Sequence, residues 1–191
     1  DYKKIWDDEI NAIKEIAEHD KECLVSIEYK PNEPRAYSLL SNLGTTLLAI
    51  KDINLKNIGV TIDFAHILYS NEQPALVAAL IDKHSQILGL HLNDGYGKRD
   101  DGLMVGSVHQ LATIELLYHI TKSKYQGPIY FDTFPDTTNM DPIKECELNI
   151  STVKQQLKLV DKLIKNNELS TAIETQDSIT SHRIFNSILY S

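Results

Sequence analysis

Cysteine is scarce: Cys23 and Cys146 are the only two in 191 residues, too few for a disulfide scaffold and without zinc-finger spacing. A reducing, cytoplasmic setting is the expectation that follows. Long apolar runs are also missing, and Asp1-Tyr2-Lys3-Lys4 leads straight into a helical pattern with no apolar signal segment. Positive charge is in deficit, with 19 Lys and Arg against 27 Asp and Glu, a net charge of −8 and a pI near 5.3. Nucleic-acid binding needs a basic footprint to displace counterions, so neither nucleic acid nor membrane is expected as a partner. A small neutral or cation-assisted substrate fits better. There is no glycine-rich phosphate loop and no nucleophile elbow, which removes nucleotide-dependent and serine-hydrolase chemistry. Repeats, low-complexity tracts and linkers are absent too. What remains, 42% hydrophobic and 24% charged residues, is the makeup of one globular domain with a sizeable core.

The periodicity alternates. Ile5, Ile10, Ile13 and Ile16-Ala17 recur at helical spacing, so residues 2 to 20 read as an amphipathic helix. Leu24 to Ile27 reads as a buried strand, Tyr37 to Ile50 as a helix, and Ile58 to Ile62 as a β-branched strand. Pro74 to His84 is a helix with proline in its first turn, Ile87 to Leu92 a strand, Val108 to Lys122 a helix and Pro128 to Phe131 a strand. Asn149 to Asn166 closes the series as a helix, and residues 171 to 190 read as a further terminal helix. Strands separated by helices demand a parallel sheet. The predicted fold is α/β: four strand-helix units over 1–166, preceded by a helix and followed by a helical arm over 167–191, all in one domain. Four such units make half of a (β/α)8 barrel, which needs about 250 residues. The opening helix reads as the crossover from a strand that has been cut away.

The strand ends carry the chemistry. In Ile27-Glu28-Tyr29-Lys30-Pro31-Asn32-Glu33-Pro34, residues two apart on a strand share a face, so Glu28 and Lys30 can project into one site. Three later strands end in potential ligands: Asp63 with His66, His91 with Asn93 and Asp94, and Asp132. Singly, each has an ordinary explanation. A carboxylate after a strand is commonly a helix cap, Glu28 can pair with Lys30 or Arg35, and Lys98-Arg99-Asp100-Asp101 can be a solvated charged loop. Their joint placement is the signal, because function on a parallel barrel gathers at the carboxyl ends of the strands. His84, His109, His119 and His182, on predicted helices, read as exposed or structural. Trp6, Tyr118 and Tyr125 read as packing groups, Cys23 as a small core residue and Cys146 as part of a polar loop.

Ile27 to Arg35 resembles the Glu-Pro-Lys-Pro-Asn-Glu-Pro-Arg segment of the xylose isomerases, with Tyr29 where that family has proline. The similarity continues through Asp63-Phe64-Ala65-His66, His91-Leu92-Asn93-Asp94, Lys98-Arg99-Asp100-Asp101-Gly102 and Phe131-Asp132, and covers roughly residues 20 to 165. It implies strands five to eight of a xylose isomerase-like barrel, whose members interconvert aldoses and ketoses or epimerise sugars with bound divalent metal. By that resemblance Glu28, Asp63 and Asp132 are metal ligands, with Asp63 bridging two ions, and His66 and Asp100 hold the second. Lys30 supplies positive charge beside the substrate oxygen, and Glu28 and Lys30 are the catalytic pair. Manganese is the ion expected, with magnesium or cobalt as alternatives, one or two ions per site. The family has aspartate where Asn93 stands; a neutral amide is a poorer ligand for a hard cation, so His91 is expected to ligate, as in the rhamnose isomerase and ketose epimerase branches. Gly102 replaces a loop aspartate, which leaves the second ion short of a ligand unless Asp101 substitutes.

The implied activity is aldose-ketose isomerisation of a sugar by the metal-bearing half of an enzyme, inactive by itself. A sugar epimerase, an endonuclease IV-like phosphodiesterase and a non-catalytic half-barrel that only oligomerises are the alternatives. Pairing with a missing amino-terminal half, or with another copy, is expected, since a first strand with no neighbour exposes a sheet edge.

Overall fold

The computed structural model describes residues 1–135 and 139–190. In chain order its elements are α1 (Tyr2–His19), β1 (Val25–Ile27), the short strands β2 (Asn32–Glu33) and β3 (Ala36–Tyr37), α2 (Leu43–Ile53), β4 (Ile58–Asp63), α3 (Phe64–Tyr69) and α4 (Pro74–His84). They continue with β5 (Ile87–His91), α5 (Gln110–Lys122), β6 (Ile129–Tyr130), α6 (Pro142–Ile164), α7 (Asn167–Glu174) and α8 (Ser178–Leu189).

Local chemistry sets most of these boundaries. A helix leaves its first amides without partners, and polar side chains supply them here: Asp1 for α1, Asn42 for α2, Asp63 for α3, Gln73 for α4 and Asp141 for α6. Two expected boundaries move for this reason. α2 begins at Leu43 instead of Tyr37, because Asn42 and Thr45 form a reciprocal capping box, while Tyr37 lies in an antiparallel hairpin with Asn32. α6 begins at Pro142 instead of Asn149, since Asp141 accepts from Ile143 N and Lys144 N and Pro142 sits at the first turn. Cys146 is therefore on a helix, and both cysteines are exposed, Cys23 in the turn before β1 and not in the core. The terminal segment is two helices, broken where Gln176 turns to φ 57°.

β1, β4, β5 and β6 form a parallel sheet in the order β1-β4-β5-β6. Its faces divide by alternation. Val60 and Ile62 are fully buried on one face, and on the other Ser26 Oγ meets Thr61 Oγ1 at 2.6 Å, with Gly89 close enough that a Cβ there would lie 2.7 Å from Thr61 Oγ1. α1 packs on α2, α4 on α5, and α5 on α6, while α7 and α8 fold back against α6. The arrangement is an α/β, partial TIM-barrel-like domain with carboxyl-terminal helices. No helix among the described residues is long and apolar enough to cross a membrane.

Tyr29 shows what its departure from proline accomplishes. Its neighbours Glu28 and Lys30 face the strand ends, but Tyr29 is 3% exposed and its hydroxyl donates to Glu72 Oε2 at 2.7 Å. Glu72 in turn accepts from Leu43 N at 3.0 Å, the first amide of α2. Burial first, then the Glu72 charge, drive the phenol pKa far upward, so the ring stays a neutral donor. Tyr29→Phe is expected to cost about 1–2 kcal/mol, measured as a lower urea midpoint with unchanged slope.

Candidate metal centre

Register brings the ligands together. Asp63 is paired with His91 across β4 and β5, and His91 with Tyr130 across β5 and β6, two residues before Asp132. Glu28 follows the last residue of β1. Beneath Glu28, Asp63 and His91, two residues earlier on each strand, lie Ser26, Thr61 and Gly89, a small layer that leaves the ligands room. One ligand atom from each of Glu28, Asp63, His91 and Asp132 lies within 4.8 Å of the others. His91 Nδ1 is 3.3 Å from Glu28 Oε1, 3.6 Å from Asp63 Oδ2 and 3.9 Å from Asp132 Oδ2.

His66 and Asp100 sit beside this cluster. His66 Nδ1 is 3.4 Å from Glu28 Oε1, and His66 Nε2 is 3.3 Å from Asp100 Oδ2. Lys30 Nζ reaches Asp100 at 3.2 Å and the nearby Glu33 at 3.2 Å, so these carboxylates and not Glu28 are its partners. Glu28, Lys30, His66, Asp100 and Asp132 line one cavity of about 680 Å³. A slightly larger one, about 710 Å³, lies between α5, α7 and α8 and is mostly apolar; it gathers no comparable ligand set.

Asp63 caps a helix and also stands in the cluster. Its Oδ1 caps α3 by accepting from His66 N at 2.9 Å, and Oδ2 faces His91. Asn93, fully buried, stands behind it: Nδ2 donates to both Asp63 oxygens at 3.2 Å and to the Asp132 carbonyl at 3.1 Å, while Oδ1 accepts from Ala65 N at 2.8 Å. Oδ1 of Asp63 thus has two donors and Oδ2 one, which leaves Oδ2 the oxygen with more lone-pair capacity to ligate. Asp94 points away and accepts from Gly95 N, Val108 N, His109 N and His109 Nδ1. Asp101 is likewise spent on its own loop, taking Tyr96 N and Arg99 Nε. At Gly102 the φ of 56° and the Phe134 ring, lying where a Cβ would stand, leave no space for an aspartate.

The electrostatics ask for a cation. Asp63 and then Glu28 raise the His91 pKa to about 10 against the opposing effect of burial. Burial alone would lower His66, but the Asp100 hydrogen bond and the charges of Asp63, Asp100 and Glu28 outweigh it and raise the pKa. Asp132 is raised by burial first and by Asp63 and Asp100 next. For Asp100, burial is outweighed by His66 and Lys30, which hold the carboxyl low. Protons and one ammonium thus balance the clustered carboxylates. The buried atoms His66 Nδ1, His91 Nδ1 and Asp100 Oδ1 nevertheless have no hydrogen-bond partner. Unmet donors and acceptors are costly when buried, and the one at His91 Nδ1, within the four-residue cluster, suits a bound cation. Three carboxylates and an imidazole suit a divalent metal ion.

The placement of Asn93 and the Lys30–Asp100 pair were not anticipated. The signal for Asn93 was its position two residues beyond His91, which alternation puts near the same strand ends.

Comparisons with known proteins bear on the fold and the family. The family described as xylose isomerase-like TIM barrel matches residues 1–159. An uncharacterized protein of Methanocaldococcus jannaschii is 26% identical over 166 residues, covering 86% of this chain and 54% of the relative. The crystal structure of a D-tagatose 3-epimerase-like protein matches 84% of this chain and 57% of its own, with a TM-score of 0.69 and 22% identity. At that identity the likeness is one of fold, and the chain spans just over half the length of each relative.

Proposed function

The chain belongs to the xylose isomerase-like TIM-barrel family, and from that premise we propose that it is the metal-bearing half of a divalent-metal-dependent enzyme that isomerises aldoses and ketoses. The observation that carries the proposal is the meeting of Glu28, Asp63, His91 and Asp132 within 4.8 Å at the carboxyl ends of parallel strands. In this reading β1, β4, β5 and β6 are strands five to eight of the barrel, residues 1–166 are its body and 167–191 an arm.

Glu28, Asp63 through Oδ2, His91 and Asp132 would hold the ion. A divalent ion there supplies Lewis acidity, polarising the carbonyl and adjacent hydroxyl of an open-chain sugar. Lys30, fixed by Asp100, presents an ammonium to the cavity and stabilises negative charge as it develops on a sugar oxygen. His66 sits between Glu28 and Asp100 and can orient a sugar hydroxyl. A second ion on His66 and Asp100 would lie beside the Lys30 ammonium that already balances Asp100, and the two positive charges repel, so we favour one ion.

A sugar epimerase is the second reading, favoured by His91 standing in the cluster while residue 93 is an amide outside it, and by the likeness of fold to the D-tagatose 3-epimerase-like protein. One experiment separates them. The chain, alone and mixed with an amino-terminal half-barrel from a relative, is loaded with Mn²⁺ and given an aldose and ketose panel in D₂O. Conversion is expected only with ion and both halves. Hydride shift between neighbouring carbons leaves the product unlabelled, whereas proton exchange between two carboxylates introduces deuterium. A chain that retains no divalent ion, and gives no conversion in the mixture, overturns both.

A further inference from the structure

We propose that Asn93 is a positioning residue for the metal centre: its amide aims the Asp63 carboxylate and fixes the ends of three strands around the ion. The inference rests on the metal-binding reading above. Asn93 follows β5, yet its side chain binds the last residue of β4 through both Asp63 oxygens at 3.2 Å and the Asp132 carbonyl, beyond β6, at 3.1 Å. It also takes Ala65 N at 2.8 Å, in the first turn of α3.

The orientation of the amide is forced by chemistry. Only its oxygen can accept from Ala65 N–H, and only its NH₂ can donate to the Asp132 carbonyl, so two independent partners place the NH₂ on Asp63. With His66 N on Oδ1 as a second donor, the Asp63 carboxylate is held against rotation, and Oδ2 is turned toward His91. A ligand held in place this way needs no reordering when an ion arrives. The residue type follows as well. Leucine would leave the Ala65 amide, the Asp132 carbonyl and Asp63 unmet, and aspartate would set a second carboxylate against Asp63 with no donor between them.

Charge and position predict opposite outcomes for one substitution, which makes the test decisive. If residue 93 acted only through local charge, Asn93→Asp would add a negative charge and tighten cation binding. Positioning predicts the reverse. Mn²⁺ binding is measured by calorimetry and by electron paramagnetic resonance of the free ion for the wild-type chain, Asn93→Asp, Asn93→Ala and Asn57→Ala. Asn57 is a control of the same chemistry at the other end of the sheet, where Nδ2 donates to Ala17 O and Cys23 O at 2.9 Å. The expected result is a loss of about 10- to 100-fold in Mn²⁺ affinity for both Asn93 variants. Asn57→Ala is expected to lower the urea midpoint without changing that affinity. Wild-type affinity retained in Asn93→Asp or Asn93→Ala, or raised in Asn93→Asp, overturns the proposal while the metal site stands. A wild-type chain that binds no Mn²⁺ removes the site itself and this inference with it. Should Asn93→Ala not fold, Asn93→Asp decides.

Discussion

Replacing Asp63 with asparagine is expected to abolish tight divalent-ion binding while leaving the chain folded. The side chain keeps its volume, and its oxygen can still accept from His66 N, so the cap on α3 survives. That constraint puts the new NH₂ where Oδ2 was, facing His91 and the NH₂ of Asn93. A donor then meets a donor at the centre of the cluster, and the oxygen that faces His91 is gone. Supporting residues around metal sites typically contribute 10- to 100-fold in affinity, and loss of a charged ligand is expected to exceed about 100-fold. Stability reads out the same event. An ion at 100 times its dissociation constant stabilises the native state by about 2.7 kcal/mol, so Mn²⁺ should raise the melting temperature of the wild-type chain and not that of Asp63→Asn. An equal shift in both proteins would mean that the ion binds elsewhere.

The sheet was legible because its strands are short apolar runs that stop at polar residues. β4 ends at Asp63 and α4 runs Pro74–His84, both as the pattern of residues indicates. What pattern could not deliver were competitions between two plausible starts. Tyr37 to Ile50 has helical spacing, but the Asn42–Thr45 capping box outcompetes it and the preceding residues turn into a hairpin. Asp141-Pro142 carried a strong start signal for α6, masked by the polar stretch before Asn149. In the site, the strand-end ligands were visible because alternation fixes which way they face. Lys30 with Asp100 and Asn93 with Asp132 were not, since those partners lie 70 and 39 residues apart and only the folded sheet brings them together. The capping role of Asp63 and its place in the cluster proved compatible, because a carboxylate has two oxygens to divide between them.

Asp94→Ala is expected to be the most destabilising single change near the site, at about 3–5 kcal/mol, although it touches none of the four clustered ligands. Asp94 is fully buried, with Oδ2 accepting from Val108 N at 2.8 Å and His109 N at 2.7 Å, and Oδ1 from Gly95 N at 2.8 Å and His109 Nδ1 at 2.9 Å. His109, the residue preceding α5, offers that helix no side-chain cap, and Asp94 instead holds the two amides just before the helix from the start of the loop. The same residue pairs by backbone with Leu103 in both directions at 2.9 Å, which closes the loop on itself. Alanine would leave the buried Gly95 amide, the half-buried amides of Val108 and His109 and the His109 imidazole without this acceptor. For a chain of this length the cost corresponds to a melting temperature lower by roughly 6–20 °C, and Asp94→Asn, which keeps one accepting oxygen, should lose less than half as much. The consequence for function is selective. The loop carries Asp100, and with Asp100 goes the anchor of Lys30, so sugar turnover should fall steeply in the reconstituted barrel even at temperatures where Asp94→Asn is fully folded. Mn²⁺ affinity should stay within a few-fold of wild type, because Glu28, Asp63, His91 and Asp132 all sit on strand ends outside the loop. If Asp94→Asn lost the ion as completely as Asp63→Asn, the loop and the cluster would have to be one coupled unit, and the division between ion-holding strand ends and a substrate-facing loop would fail.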